Sequence, residues 1–386
     1  MFNYEFPPIG GGGGWVSYFL GKHLATSGHQ VHLITSRFEN LPKHEVIENI
    51  TVHRVPVLRK RKDVCAIHEM MTYAISSTIH GFRVANQFQP DVVQVFFGIP
   101  SGGCAYLLEK TNNIPYVVFL GGRDVPRPNP DPPYYRWLYL ILSPIIQSIW
   151  RSATAVIACS NGLRELAYQT DQSIKIDVIP DGLDLHRFFS IERNPCSTPV
   201  KILTVGRLIP RKGFQFLIQA LPDVCKQTNT DFRIQIVGDG PYRSELVKLA
   251  ENLNVSDKID FLGSIDYANL PQKYHEADIF TLCSLAEGMP LVVLEAMGTG
   301  LPIIASQVQG VTDLVKIGIN GELFDPGDVN QLVKHLVRLI DDGKQRVKMG
   351  KKSTELAQGY SWENIAQSYL ELYKKVVRIE KRQANC

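Results

Sequence analysis

DIFTLCSLAEGMPLVVLEAMGTGLPIIAS, residues 278–306, reads as strand, loop, helix, strand. The runs at 278–282 and 302–306 are short, apolar and β-branched on both faces, as buried parallel strands are. Between them Pro290 suits a first helical turn and Gly298 and Gly300 suit its end, so the spacing predicts a helix from about 290 to 297. Two parallel strands joined by a helix are the repeating unit of an α/β sheet. Glu287 lies just ahead of that helix and Glu295 lies inside its apolar run. Eight helical residues advance ~12 Å and turn about 80° beyond two full turns, so both carboxylates can line one elongated slot. A carboxylate buried at Glu295 needs hydrogen-bonding partners. Hydroxyls of a bound ribose would serve, and a structural ion pair is the other reading.

The same alternation runs through the rest of the chain. The first half carries strand-like runs at 30–35, 91–97, 116–120 and 153–158. After the polar segment RNPCSTP at 193–199 come KILTV, RIQIV, KIDFL and the two strands already read. With 386 residues the chain exceeds one ordinary core, so two domains facing a cleft are expected, 1–194 and 195–360, followed by a helical end at 361–386. Asp328 with Gln331 forms a capping-box pair ahead of one carboxyl-terminal helix, and Ser361 opens the last. Only MFNYEF precedes the glycine-rich turn, short for a parallel strand, so a few residues are expected to precede Met1.

A hydrophobic share of 44% with 20% charged residues belongs to an ordinary globular protein. The net charge of +3 is too mild for a nucleic-acid partner. Seven scattered cysteines without a Cys-x-x-Cys pair suggest a reducing compartment and no structural zinc. No secretory signal and no run of about 20 apolar residues is read, so a cytoplasmic location is expected. The basic run 59–62 is either a solvated loop or an attraction for an anionic membrane surface. YYRWLYLILSPII at 134–146, interrupted by Arg136 and Pro144, reads as a kinked, largely buried helix, with a membrane-interface helix as the alternative.

Five glycines, Gly10 to Gly14, separate the strand remnant from a helix beginning near Trp15. They let the backbone approach an anion at a helix amino terminus, or make a structural tight turn. Trp15 breaks the Gly-x-Gly-x-x-Gly pattern, and TSR at 35–37 lacks the acidic residue that holds an NAD ribose. In GRLIPRKG, 206–213, Arg207 and Lys212 follow a strand end, where open α/β sheets keep their ligands. Two cations there would neutralise a diphosphate. No Asp-x-Asp occurs; basic residues can take over that task, and neither a metal nor another cofactor is expected.

Taken together, EFPPIG with its glycines, SGHQVHLIT, IPDGLDLHRF, GRLIPRKG, VGDGP, the Glu-x7-Glu segment and the final SWE helix resemble the glycosyltransferases of family 4, the retaining group with the GT-B fold. That resemblance spans nearly the whole chain and implies two Rossmann-like, doubly wound parallel-sheet domains, with the helix from Ser361 crossing back to the first. It implies that Arg207 and Lys212 hold the diphosphate of a nucleotide sugar, that Glu295 holds the ribose, and that Glu287 contacts sugar hydroxyls and supports an oxocarbenium-like transition state. The backbones of Gly288, Met289 and Leu291 would meet the donor sugar and phosphate, that of Ile265 the base, and Gly12 and Gly13 the phosphate. Many relatives read His-Gly-x-Asp where this chain has LGGRDVP; Gly121 stands at the histidine's place while Gly122 and Asp124 match. Arg123 or Asp124 would then orient the acceptor or leaving phosphate. The implied activity is retaining transfer from a UDP- or GDP-type sugar to a glycan or lipid-linked acceptor, in cell-surface polysaccharide or glycolipid synthesis on the cytoplasmic face of a membrane. The alternatives are a non-catalytic nucleotide-sugar-binding subunit, or an epimerase or phosphorylase on the same fold.

Overall fold

The computed structural model describes residues 1–62, 65–122, 124–126 and 133–383, the side chains at 133–136 and 380–383 excepted. The chain divides into two compact units, Met1–Gly182 together with the segment from Trp362, and Leu183–Ser361. The passage between them thus precedes the polar 193–199 segment. Arg193 is the physical reason: its guanidinium donates to the carbonyls of Tyr274, Ala277, Thr299 and Gly300, fixing that segment to the second unit.

The first unit contains β1 (Val31–Ser36), β2 (His44–Ile47), β3 (Ile50–Val55), β4 (Val93–Phe96), β5 (Tyr116–Leu120), β6 (Ala155–Ala158) and β7 (Ile176–Val178). Its helices are α1 (Gly12–Thr26), α2 (Ile67–Phe88), α3 (Gly98–Asn112), α4 (Pro133–Ser152) and α5 (Asn161–Tyr168). The strands lie in the orders β2-β3-β1 and β4-β5-β6-β7. Phe2 makes parallel bridges to both Ile34 and Val95, so the short segment before the glycines is the strand that joins the two groups. All pairings but β2 with β3 are parallel. The chain runs outward from Phe2 to β1 and β3, then returns to β4 on the other side. That reversal puts the glycine loop and the end of β4 at a topological switch point.

The second unit repeats this logic. It contains β8 (Val200–Val205), β9 (Phe232–Val237), β10 (Ile259–Gly263), β11 (Ile279–Leu282), β12 (Ile303–Ser306) and β13 (Gly321–Phe324), ordered β10-β9-β8-β11-β12-β13 and all parallel. Its helices are α6 (Phe214–Gln227), α7 (Arg243–Asn252), α8 (Leu270–Glu276), α9 (Leu291–Gly298), α10 (Val311–Leu314), α11 (Val329–Asp341) and α12 (Gly343–Ala357). Here the chain reverses between β8 and β11. Strands β8, β9, β11 and β12 are largely buried because helices cover both faces, which is why their sequences are mostly apolar rather than strictly alternating, whereas edge strand β10 is only half-buried. On α11, Leu332, Val333, Leu336, Leu339 and Ile340 form the buried stripe. Asp328 accepts from the Gln331 amide at 2.9 Å, while the Gln331 side chain bonds Asp325 instead of closing the expected box.

The last helix, α13 (Trp362–Gln383), belongs to the first unit. Trp362 stacks on Phe19 of α1 at 5.6 Å, and the buried Tyr373 hydroxyl donates to Gln94 of β4 at 2.8 Å. On α4 the expectation of a largely buried helix is wrong. Ile146, Ile149 and Trp150 are buried, but Trp137, Leu140, Ile141 and Ile145 stand in solvent. The helix has a single buried stripe, and the other side is apolar too. No helix among the described residues is long and apolar enough to cross a membrane.

Candidate functional site

In the second unit the loops after β8 and β11 lie side by side at the switch point. After β8 the chain passes Gly206 and Arg207 into a single helical turn, Pro210–Lys212, that leads to α6. After β11 it passes Glu287, Gly288 and Met289 into α9. The Leu285 amide donates to the Arg211 carbonyl at 2.8 Å, tying the two loops together. Gly213 has φ +71°, and a Cβ there would collide with the Cys283 carbonyl, so this close approach requires glycine.

Across that seam Lys212 Nζ donates to Glu287 Oε1 at 2.6 Å. Burial pushes the Glu287 carboxyl up, but Lys212 and then Arg211 outweigh it and hold the group below its ordinary range. Glu287 is therefore ionised at neutral pH and pinned by a cation. Arg207, half-buried, lies five residues before that lysine. Gly288 and Met289 are buried, and Leu291 opens α9 half-buried. Ile265 follows β10, three strands from β11 in the sheet order, a span of about 14 Å at ~4.8 Å per strand.

Glu295, inside α9, is 6% exposed. Its Oε2 accepts from the Tyr274 hydroxyl at 2.6 Å, a protein partner that the sequence reading did not find. Burial pushes its carboxyl up to about 7 despite that bond. The two glutamates thus differ: Glu287 is a paired anion, Glu295 a carboxyl close to half-protonated at neutral pH.

The first unit assembles a different cluster at its own switch point. Asn3 donates to the Gly13 carbonyl at 3.0 Å and to Ser17 at 2.9 Å, and accepts from the Glu5 amide. Gly12 starts α1 in solvent. Asp124 is buried, and both its oxygens accept backbone amides: Gly121 and Gly122 on one, Gly98 on the other. Burial pushes this carboxyl up to about 6, against those three amides, which pull it down. Asp124 therefore clamps the loops after β4 and β5 together. Arg123 lies outside the described residues.

Phe97 ties this cluster together, and no sequence signal marks it. Its backbone has φ 69°, a strained conformation for a bulky residue. A Cβ on Gly121 would meet Phe97 Cε1 at 2.7 Å, and one on Gly13 would collide with the same ring. The ring occupies the space beside Gly121 that a side chain there would enter. A separate cavity of about 610 Å³ in this unit, lined by Val31, Phe88, Val93 and Tyr373, surrounds the amino ends of β1 and β4. That is the wrong end of the sheet for such a site. Among the described residues no group of three or more His, Cys, Asp or Glu could hold a metal ion.

Residues 11–182 match the glycosyl transferase 4-like domain, and residues 188–356 match the glycosyl transferases group 1 domain. The chain belongs to the family 4, group 1 glycosyltransferases. The transferase is 28% identical over 387 residues to N-acetyl-alpha-D-glucosaminyl L-malate synthase of Bacillus anthracis, covering 97% of this chain and 96% of that protein. Its fold is that of sucrose-phosphate synthase from Thermosynechococcus elongatus, with TM-score 0.82, 22% identity, and coverage of 96% and 94%. HepE of Anabaena, solved with UDP and glucose, has TM-score 0.75 at 18% identity, with 97% and 98% covered. Both units are accordingly the Rossmann-like halves of a GT-B transferase.

Proposed function

We propose that the transferase moves a sugar from a UDP- or GDP-type nucleotide sugar to a glycan or lipid-linked acceptor with retained configuration and without a metal ion. Its place would be cell-surface polysaccharide or glycolipid synthesis on the cytoplasmic side of a membrane. The observation that carries this reading is the Lys212–Glu287 pair at the β8–β11 switch point, with Arg207 on the same loop. A diphosphate arriving there meets Arg207 and draws the Lys212 ammonium toward itself, exchanging one anion for another and leaving Glu287 ionised beside the sugar.

In this reading Glu295 accepts hydrogen bonds from the ribose, and Ile265 meets the base through its backbone. The span from β10 to β11 suits a nucleotide sugar laid across the strand ends. The backbones of Gly288, Met289 and Leu291 face the sugar and phosphate, and Gly12 and Gly13 supply amides to the phosphate. In the reaction the bond from the anomeric carbon to the diphosphate oxygen breaks, and its electron pair stays on the diphosphate. The acceptor hydroxyl forms the new bond on the same face and gives its proton to the departing phosphate oxygen. Arg207 and Lys212 stabilise the charge that builds there. Glu287 stabilises the cationic ring carbon and holds sugar hydroxyls. Asp124 acts by positioning, since its oxygens are engaged by backbone amides.

A thermal-shift panel of UDP-, GDP- and ADP-sugars tests the donor, because a bound ligand raises the melting temperature by mass action; UDP-glucose is the first to try, since HepE takes UDP and glucose on this fold. Glu287→Gln and Arg207→Ala should each lower turnover at least tenfold while the protein stays folded. Near-normal rates in both would end the proposal. A non-catalytic sugar-nucleotide binder is the second reading, favoured by Phe97 standing where a side chain at 121 would reach. Donor binding with no nucleoside diphosphate released across a broad acceptor panel would support it.

A further inference from the structure

We infer that α2 and α4 of the first unit form a docking face for a lipid bilayer carrying anionic headgroups. The face names the surface behind the membrane location proposed above and rests on that reading only for its purpose.

Two helices that both pack on α3 expose apolar stripes at helical spacing. On α2 these are Met71, Ile75 and Ile79; on α4 they are Trp137, Leu140, Ile141 and Ile145, and all seven are between 53 and 72% exposed. Soluble proteins expose single apolar residues freely, but seven large ones gathered in two stripes on helices that share the neighbour α3 mark an interaction surface. The other side of each helix is already committed: Tyr73, Ser77, Gly81 and Ala85 of α2 are buried, as are Ile146, Ile149 and Trp150 of α4. The exposed stripes are therefore second apolar faces, beyond what folding of the unit needs.

Charge selects the occupant. Residues 133–152 contain no acidic residue, and the one acid of α2 is Glu69. Glu69 is 3% exposed and accepts from the backbone amides of Lys60 and Ala66, so it contributes nothing to the exposed side. The same bond to Lys60, with Leu58 donating to Thr72 at 3.2 Å, lays the basic run 59–62 along the first turns of α2. Lys60 and Lys62 reach solvent there, with Arg83 farther along the helix. A surface that is apolar, rimmed by cations, free of exposed acids on its helices and tipped with a tryptophan matches the interface of an anionic bilayer. A soluble protein partner would need an apolar face of its own, and nothing here selects one.

The full-length protein is sedimented with vesicles of phosphatidylcholine, alone or with about one-third phosphatidylglycerol. Strong binding to the anionic vesicles is expected, at least tenfold weaker to the neutral ones, and reduced by salt. Trp137→Ser with Ile141→Ser should lower anionic-vesicle binding at least tenfold. Lys60→Glu with Lys62→Glu should abolish the preference for anionic lipid. Both double variants alter exposed side chains, and their donor-induced thermal shift should equal the parent's. Loss of that shift in the parent would sink the transferase reading and leave the docking result standing. A protein that stays in the supernatant with anionic vesicles, or variants that bind as the parent does, would overturn the docking face. So would a concentration-dependent dimer that the Trp137 variant dissolves, because the face would then belong to a second copy of the chain.

Discussion

Replacing Glu295 with glutamine should make the unliganded protein more stable at alkaline pH while weakening donor binding. A carboxyl raised from 4.5 to about 7 by burial is held protonated in the folded state across a range where the unfolded chain has already lost its proton. Stability therefore falls as pH rises from 4.5 through 7 and stays low above that, with no cost below 4.5. At roughly 1.36 kcal/mol per pH unit the full cost is about 3 kcal/mol, and most of it develops between pH 5 and pH 8. For a unit of this size that is a melting-point difference of ~5–10 °C. Glutamine keeps the shape and can still accept from the Tyr274 hydroxyl, but it does not ionise. The assay is calorimetry of parent and Glu295→Gln from pH 5 to pH 8, without donor. The parent should lose ~5–10 °C more than the variant over that range, and nucleotide-sugar affinity should drop at least tenfold in the variant. Parallel melting curves across the whole range would refute the reasoning, since Glu295 would then carry no ionisation penalty.

Gly121→His should cost about 1–3 kcal/mol by overpacking against Phe97 and lower turnover; Phe97→Ala in the same chain should restore melting temperature, and an active, fully stable Gly121→His single variant would contradict the geometry. Adding EDTA to the transfer assay should leave the rate unchanged, as expected if Arg207 and Lys212 carry the charge; loss of activity that Mg²⁺ restores would overturn metal independence. Lys212→Met removes the hydrogen-bonded cation of the buried Glu287 and leaves only the weaker influence of Arg211, so it should destabilise the second unit by about 3 kcal/mol, and Glu287→Gln added to it should recover most of that loss in the melting curve.

Much of the architecture is legible from local pattern. Apolar runs bounded by glycine and proline mark β4, β5, β8, β9, β11 and β12, because a strand covered on both faces has few polar positions. The hairpin β2–β3 is not legible. Its turn residues, Glu48 and Asn49, both take positive φ, a geometry signalled by Asn-Gly rather than Glu-Asn, and β2 is too exposed to show an apolar run. The boundary between the units also escapes sequence, because the polar residues 193–199 look like a linker until Arg193 is seen binding the carbonyls of residues some eighty to a hundred positions away. On α4 periodicity alone cannot tell a buried helix from one with two apolar sides, since both read as apolar throughout.

Local pattern is enough for the parallel α/β plan, the loops at 206–213 and 283–290, and the placing of Glu287 and Glu295 at the start and within one short helix. These follow from propensity and spacing within a few residues. Long-range packing makes Lys212 meet Glu287, gives Glu295 the Tyr274 hydroxyl as a partner, and sets Phe97 in the space beside Gly121. Each of those contacts joins residues 21 to 75 positions apart. What brings them together is strand order: the switch points set β8 beside β11 and the strand at Phe2 beside β4, and no local preference encodes which loop ends will become neighbours.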